Sequence, residues 1–303
     1  MKFTSTLPSG VFTASLTPMQ QDLSVNYPAL ISHLQWLLNN GSNGICLLGT
    51  TGEANSFSAG ERKAILDEVI KAGINPRLLL VGTGTCALPD TIALTRHAVA
   101  QGVGGVLMLP PFYYKGLSDE GILAYFKLVV ESVNDPRLKI YLYHFPKMTG
   151  VPFTLELVKK LTQAHPGVIV GMKDSSGDWP GMQAVMATIP GFKFFTGSEN
   201  FLLATLRAGG AGCISATFNA SIRQGAKLYA HWQGPHAESL QTGLSAIRAK
   251  FSVAPFIGGL KYLFARWFAD DNWRNLRPPN SLPEEAAAQL LAQHLAKEDF
   301  FGN

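Results

Sequence analysis

The chain of 303 residues is poor in charge. Lys and Arg number 25 against 21 Asp and Glu, a balance of +4, and charged residues make up only 15%. No run of Lys and Arg stands among them, so nothing marks a polyanionic partner and nucleic-acid binding is set aside. Cysteine is scarce too. Cys46, Cys86 and Cys213 are odd in number, far apart and never in a CxxC pair. That spacing excludes a disulfide framework and a zinc site, and reads as reduced core residues of a cytosolic protein. The seven histidines are scattered, with no HxxxH or HxH pair to hold a metal. No stretch reaches the roughly 18 apolar residues of a membrane span, and the N-terminal MKFTSTLPSGVFTASL lacks a long apolar h-region. The expectation is a soluble cytoplasmic protein with neither nucleic acid nor membrane as partner.

Apolar residues are plentiful, at 47%, and they come in short runs. GVFTASLTP (10–18), NGICLLGTT (43–51), RLLLVGTG (77–84) and GGVLMLPPF (104–112) read as buried strands. LKIYLYHFP (138–146), GVIVGMKDS (167–175), FKFFTGSE (192–199) and GAGCISATF (210–218) continue the series. Between them lie amphipathic patterns such as AGERKAILDEVIKAG (59–73), closed by Gly. Eight strand–helix units predict an α/β fold, a (β/α)8 TIM barrel over residues 1–219. The alternative, a doubly wound sheet, lacks its Gly-rich fingerprint, because GTGTCALPD (82–90) misses the third glycine spacing. Beyond residue 219 the strands stop, and residues 220–303 read as a C-terminal helical extension packed outside the barrel, with 281–298 its clearest helix.

In such a barrel the carboxyl ends of the strands carry the chemistry. Lys139 and Lys193 begin their strands; Lys173 ends one. Burial favours the neutral amine, and a neutral lysine amine is a nucleophile toward carbonyls. Side-chain alternation puts Lys173 on the face of Gly171 and Ile169, where the glycine leaves room beneath the amine. Strand two ends in GTTGE (Gly49–Glu53), a turn of hydroxyls and backbone amides suited to a carboxylate. It also reads as a Ser/Thr-rich turn leading to a helix capped by Ser56 or Ser58, and Glu53 is assigned to that structural role. Tyr143 stands at the height of Lys173 on the preceding strand, a candidate general acid/base. His144 has the opposite parity and is structural. The loop PPFYYKG (110–116) presents aromatics that either line the site or make a subunit contact.

GTTGE, YHFPKMTG (143–150), GMKDSSGD (171–178) and GGAGCISATFNA (209–220) together resemble the motifs of the dihydrodipicolinate synthase and N-acetylneuraminate lyase family, over about residues 8–225. The resemblance implies a class I aldolase in which Lys173 forms a Schiff base with pyruvate or another 2-oxo acid. No metal or organic cofactor is then required. Thr50 and Thr51, with Gly49, would hold the carboxylate, and Tyr143 would move the proton. The backbone carbonyl of Ile214 would face the lysine. The family is commonly tetrameric, which implies a homo-oligomer, tetramer or dimer, whose neighbour lends a tyrosine, here Tyr113 or the adjacent Tyr114.

The departures from the family pattern bear on the substrate. Met148 stands where dihydrodipicolinate-forming members carry an arginine for a second carboxylate, with Lys147 before it, so an uncharged tail is expected. Glu199, Asn200 and Ala216 stand where sialic-acid lyases place an acidic pair and a serine. The pattern is most similar to 2-keto-3-deoxy-sugar-acid aldolases, with Ser175 and Glu199 binding hydroxyls, or with Glu199 in a solvated loop. Two rival functions are a dihydrodipicolinate synthase-like condensation or a dehydratase using the same imine, and a non-catalytic 2-oxo acid sensor. The joint presence of Lys173, Tyr143, Thr50 and Thr51 speaks against the sensor.

Overall fold

A computed structural model describes residues 8–251, 255–298 and 300. Eight parallel strands close into a barrel in sequence order, β8 pairing with β1. They are β1 (Gly10–Ala14), β2 (Gly44–Leu47), β3 (Leu79–Gly82), β4 (Gly105–Met108), β5 (Ile140–His144), β6 (Ile169–Asp174), β7 (Lys193–Thr196) and β8 (Gly212–Ser215). Around them run α1 (Tyr27–Asn39), α2 (Ala59–Lys71), α3 (Leu88–Ala100), α4 (Asp119–Val133), the single turn α5 (Pro146–Thr149), α6 (Leu155–Ala164), α7 (Trp179–Thr188), α8 (Leu202–Arg207) and α9 (Phe218–His231). Three more helices follow: α10 (Ala237–Lys250), α11 (Phe256–Phe268) and α12 (Glu285–Leu295). The helix α9 is the eighth of the barrel, so a division at 219/220 falls just inside it. Asn219 shows why: its side chain accepts from Leu16 N and donates to Ala14 O, both next to the end of β1.

The strands are short and apolar because each is covered twice. Val11, Ile45, Leu47, Val81 and Val106 face the helices, while Phe12, Cys46, Leu80, Leu107 and Phe195 fill the barrel interior. Helix starts follow the local chemistry. Ser58 caps α2 in a reciprocal capping box with Glu61, and Asn26 caps α1. The thiols divide: Cys46 and Cys213 are buried as expected, but Cys86 is exposed on the loop before α3.

A second core forms where the last helices meet the barrel. Phe251, Leu263, Phe264, Trp273 and Leu291 pack with Leu16 from the loop after β1. His33 of α1 belongs to this seam, edge-on to Phe264 and Trp273 at 5.1 and 5.5 Å between centroids. Its Nε2 lies 2.8 Å from Asn219 Oδ1, and burial pushes its pKa down to about 4.

Candidate active site

The site begins with register. Tyr143 on β5 is paired with Lys173 on β6, and beneath them Tyr141 is paired with Gly171. Gly171 is required by space: a Cβ there would lie 2.5 Å from the Tyr141 ring. That ring packs on Phe195 and floors the site, so the room left by the glycine is filled by an aromatic from the next strand. Lys139 and Lys193 point elsewhere, bonding Gly167 O and Ser9 Oγ at the amino end of the barrel.

Lys173 is 5% exposed, and its Nζ is 3.4 Å from the Tyr143 hydroxyl and 4.4 Å from the ring centroid. The same hydroxyl is 3.3 Å from Thr50 Oγ1. Amine, phenol and threonine thus form one chain of long contacts, a spacing that a bound reactant can tighten. Burial pulls the Lys173 amine toward its neutral form. Negative charge on the Tyr143 oxygen, or on the thiols of Cys46 and Cys213, holds the proton on it and gives a net rise. Both thiols are themselves pushed up by burial and so stay uncharged near neutral pH.

The GTTGE turn holds its shape by two devices. Gly82 on β3 has no side chain, and a Cβ there would meet Leu48 O at 2.0 Å, so the turn can sit directly on the strand end. Glu53 takes a left-handed conformation, φ 56°, and its carboxylate turns inward. It is fully buried, 2.5 Å from Nζ of the equally buried Lys261 on α11, with Asn280 Nδ2 at 3.2 Å. Lys261 also donates to Asn275 O at 2.8 Å. The structural assignment of Glu53 stands, but helix capping is done by Ser58, and Glu53 instead ties the turn to the C-terminal extension.

A cavity of about 630 Å³ opens over Lys173. From the barrel it takes Thr50, Thr51, Tyr143, Phe145, Met148 and Ser175. Lys147 and Met148 sit on its rim, both exposed, on the single turn α5. His144 faces the other way, where its Nδ1 accepts from Phe153 N. Asp174, beside it, is pushed up by burial and held back by His144 and by hydrogen bonds from Ser176. Ile214 lies on the inward face of β8 opposite Phe12. Gly49 is set under the turn and lines a smaller recess behind Thr50 and Tyr143.

Three expectations need correction. Glu199 neither meets the cavity nor lies in a solvated loop: it is fully buried and accepts from Ser215 Oγ at 2.5 Å and from Thr217 Oγ1. A carboxylate drawn inward must be met by donors, and two hydroxyls of the β8–α9 segment meet this one. Of the trio Glu199, Asn200 and Ala216, only Ala216 lines the cavity. Last, the C-terminal helices do more than pack outside the barrel. Arg248, Phe256, Ile257, Gly258, Asn280 and Ser281 form the far wall of the cavity. Sequence reasoning missed them because no strand-end position marks them. The sole hint was an arginine near the end of a helical pattern, followed by Pro255.

Tyr113 and Tyr114 are exposed at 73% and 68% and meet edge-to-face at 5.3 Å. They stand outside the cavity of their own chain. Among the described residues no group of His, Cys, Asp and Glu is arranged to hold a metal, and no helix is long and apolar enough to cross a membrane.

A parallel eightfold barrel with a buried amine at the end of its sixth strand, beside a phenol and under a Thr-rich turn, defines a lysine-dependent aldolase class. Comparison with known proteins places the chain within that class. Residues 7–297 match the dihydrodipicolinate synthetase family. An uncharacterised DapA-like lyase of Chloroflexus aurantiacus is 38% identical over 243 residues, 80% of this chain and 81% of that one. A 4-hydroxy-tetrahydrodipicolinate synthase of Acidiphilium cryptum is 31% identical over 78% of each chain. The Escherichia coli K12 protein named "Putative 2-dehydro-3-deoxy-D-gluconate aldolase YagE" is 30% identical over 93% of this chain and 96% of its own. The crystal structure of YagE in complex with pyruvate superimposes with a TM-score of 0.85 at 27% identity, covering 95% of this chain and 97% of that one. The chain belongs to the dihydrodipicolinate synthase family, whose members are class I lyases and aldolases acting on pyruvate through a lysine Schiff base without a metal cofactor.

Proposed function

We propose that the protein cleaves or forms a 2-keto-3-deoxy sugar acid, with Lys173 as the imine-forming residue. The observation that carries this reading is the contiguous set Lys173, Tyr143 and Thr50 at the mouth of a cavity large enough for a six-carbon chain. The neutral amine attacks the keto carbon, and the Tyr143 phenol gives its proton to the departing hydroxyl, so that water leaves a protonated imine beside a phenolate. In cleavage, the electron pair of the breaking carbon–carbon bond moves into that imine. The hydroxyl proton passes to the Tyr143 oxygen and an aldehyde departs. The enamine left behind takes up a proton, and water releases pyruvate and the free amine. Thr50 and Thr51 hold the carboxylate, and Ser175, half-buried on the cavity wall, takes a hydroxyl of the tail.

Likeness to YagE and the loss of an arginine at Met148 favour the sugar acid over the synthase reaction. The protein acts in the cytoplasm as a homo-oligomer, tetramer or dimer, and the exposed pair Tyr113 and Tyr114 meets a neighbouring subunit, with Tyr113 reaching its site. Borohydride added with pyruvate is expected to place a three-carbon adduct on the peptide that contains Lys173. Cleavage of a 2-keto-3-deoxy sugar acid to pyruvate and an aldehyde completes the test. An adduct on another lysine, or on none, sinks the mechanism, while an adduct without aldol turnover returns the protein to the dehydratase or sensor reading.

A further inference from the structure

The cavity carries a cation that the reaction at Lys173 does not use. Arg248 lies in the last turn of α10, half-buried on the wall built by the C-terminal helices. Its Nη1 donates to Thr217 Oγ1 at 3.3 Å, and its guanidinium carbon stands 5.0 Å from the centroid of the Phe256 ring. These two contacts fix the plane of the group but use little of its donor capacity, since a guanidinium has five N–H bonds to give. Among the described residues no carboxylate pairs with it. The acid that lies nearest through Thr217 is Glu199, and both oxygens of Glu199 are already taken by the hydroxyls of Ser215 and Thr217. The two hydroxyls thus keep the acid away from the arginine, and the remaining donors are left for the cavity.

The balance of charge points the same way. Lys173, Lys147 and Arg248 line the cavity as bases. Its acid, Asp174, is raised by burial and held by the N–H of Ser176. One anion on the substrate is accounted for by the 2-oxo carboxylate at Thr50 and Thr51, and the wall opposite that turn still offers a planar fork. A planar fork matches a carboxylate bidentately.

We propose that Arg248 is a specificity-determining residue that binds a terminal carboxylate at the far end of the substrate, so that the preferred 2-keto-3-deoxy acid is acidic at both ends. The proposal rests on the imine reading of Lys173 for the orientation of the substrate. It also revises the uncharged tail inferred from Met148, since the cation is supplied from α10 instead of α5.

Binding of two 2-oxo acids of equal length separates this from the catalytic reading, because it needs no turnover. The probes are 2-oxoadipate, with a terminal carboxylate, and 2-oxohexanoate, with a methyl in its place. Titration calorimetry on the full chain is expected to give 2-oxoadipate about a tenfold to hundredfold lower Kd, the scale of one charge-assisted contact. Arg248→Gln should collapse that difference to less than threefold, and Arg248→Lys should restore part of it. Lys147→Gln should leave most of it in place. Equal affinity of the two acids for the unaltered protein overturns the proposal whatever the variants do. A preference that survives in Arg248→Gln, or that disappears in Lys147→Gln alone, also overturns it. A six-carbon 2-keto-3-deoxy acid ending in phosphate provides the third arm, and tighter binding of that compound than of 2-oxoadipate would reassign the far end to a phosphate.

Discussion

Two lysines are buried among the described residues, and their surroundings are opposite. Lys261, in the seam between barrel and C-terminal helices, has a carboxylate at 2.5 Å and a backbone carbonyl at 2.8 Å. Burial lowers its pKa, and Glu53 acts against that shift. Lys173, at the mouth of the barrel, has a phenol at 3.4 Å and, among the described residues, no carboxylate in ion-pair contact. An ammonium that is fully answered by a carboxylate and a carbonyl is a fixed part of the structure. Lys173 is left with only a phenol and two thiols around it, and although its pKa shows a net rise, no ion pair among the described residues pins its nitrogen away from the cavity. The difference lies in partners, since both side chains are buried.

Exchanging each lysine for methionine tests that contrast most directly. Lys173→Met is expected to abolish imine trapping and to lower turnover at least 10⁴-fold, equivalent to more than about 5 kcal/mol of barrel-mouth chemistry, while unfolding shows equal or higher stability. A drop in stability of several kcal/mol would mean that the amine is structural after all. At the same end, Tyr143→Phe should keep the adduct and slow carbon–carbon cleavage by about 10²–10⁴-fold. Unchanged turnover would make the tyrosine a packing residue.

Lys261→Met should do the reverse. It leaves Glu53 buried without its cation, a loss of about 3–5 kcal/mol by denaturant unfolding. Adding Glu53→Gln should recover part of it. The GTTGE turn is also released, so KM for pyruvate should rise while borohydride still labels Lys173. Stability equal to that of the unaltered protein would show that the pair contributes nothing net.

The smallest effect concerns pH in the same seam. His33 binds its proton at about 4 in the fold and near 6.5 when unfolded. Between those values the unfolded chain takes up the proton and the fold does not, so stability is full above about 6.5 and falls as pH drops toward 4. The total reaches about 3 kcal/mol. His33→Gln should flatten that part of the profile, and an unchanged slope would assign the acid sensitivity to other groups.

How much of this was legible without coordinates follows from the range of the interactions involved. The pairing of Tyr143 with Lys173 was legible because strand alternation and parallel register are local rules repeated from one strand to the next. A cap at Ser56 or Ser58 was legible because capping is local, and the structure decides for Ser58, whose partner Glu61 is three residues away. Glu53 and Lys261 are 208 positions apart, and no periodicity connects them. Glu199 carried a polar side chain near a site, which is the same signal whether it faces a ligand or the chain's own hydroxyls.

By itself, then, the sequence determined the barrel, the end of the barrel that carries the candidate site, and the lysine that stands there. Each of these is set by short-range alternation of apolar and polar residues and by the cost of burying a charge. Only the tertiary structure decided which buried charges were answered and which were left open. It turned Glu199 inward onto Ser215 and Thr217, tied Glu53 to α11, and brought Arg248 of α10 to the cavity. The physical reason is that a polar group's role depends on the partners that desolvation leaves within about 3 Å of it, and those partners come from distant parts of the chain.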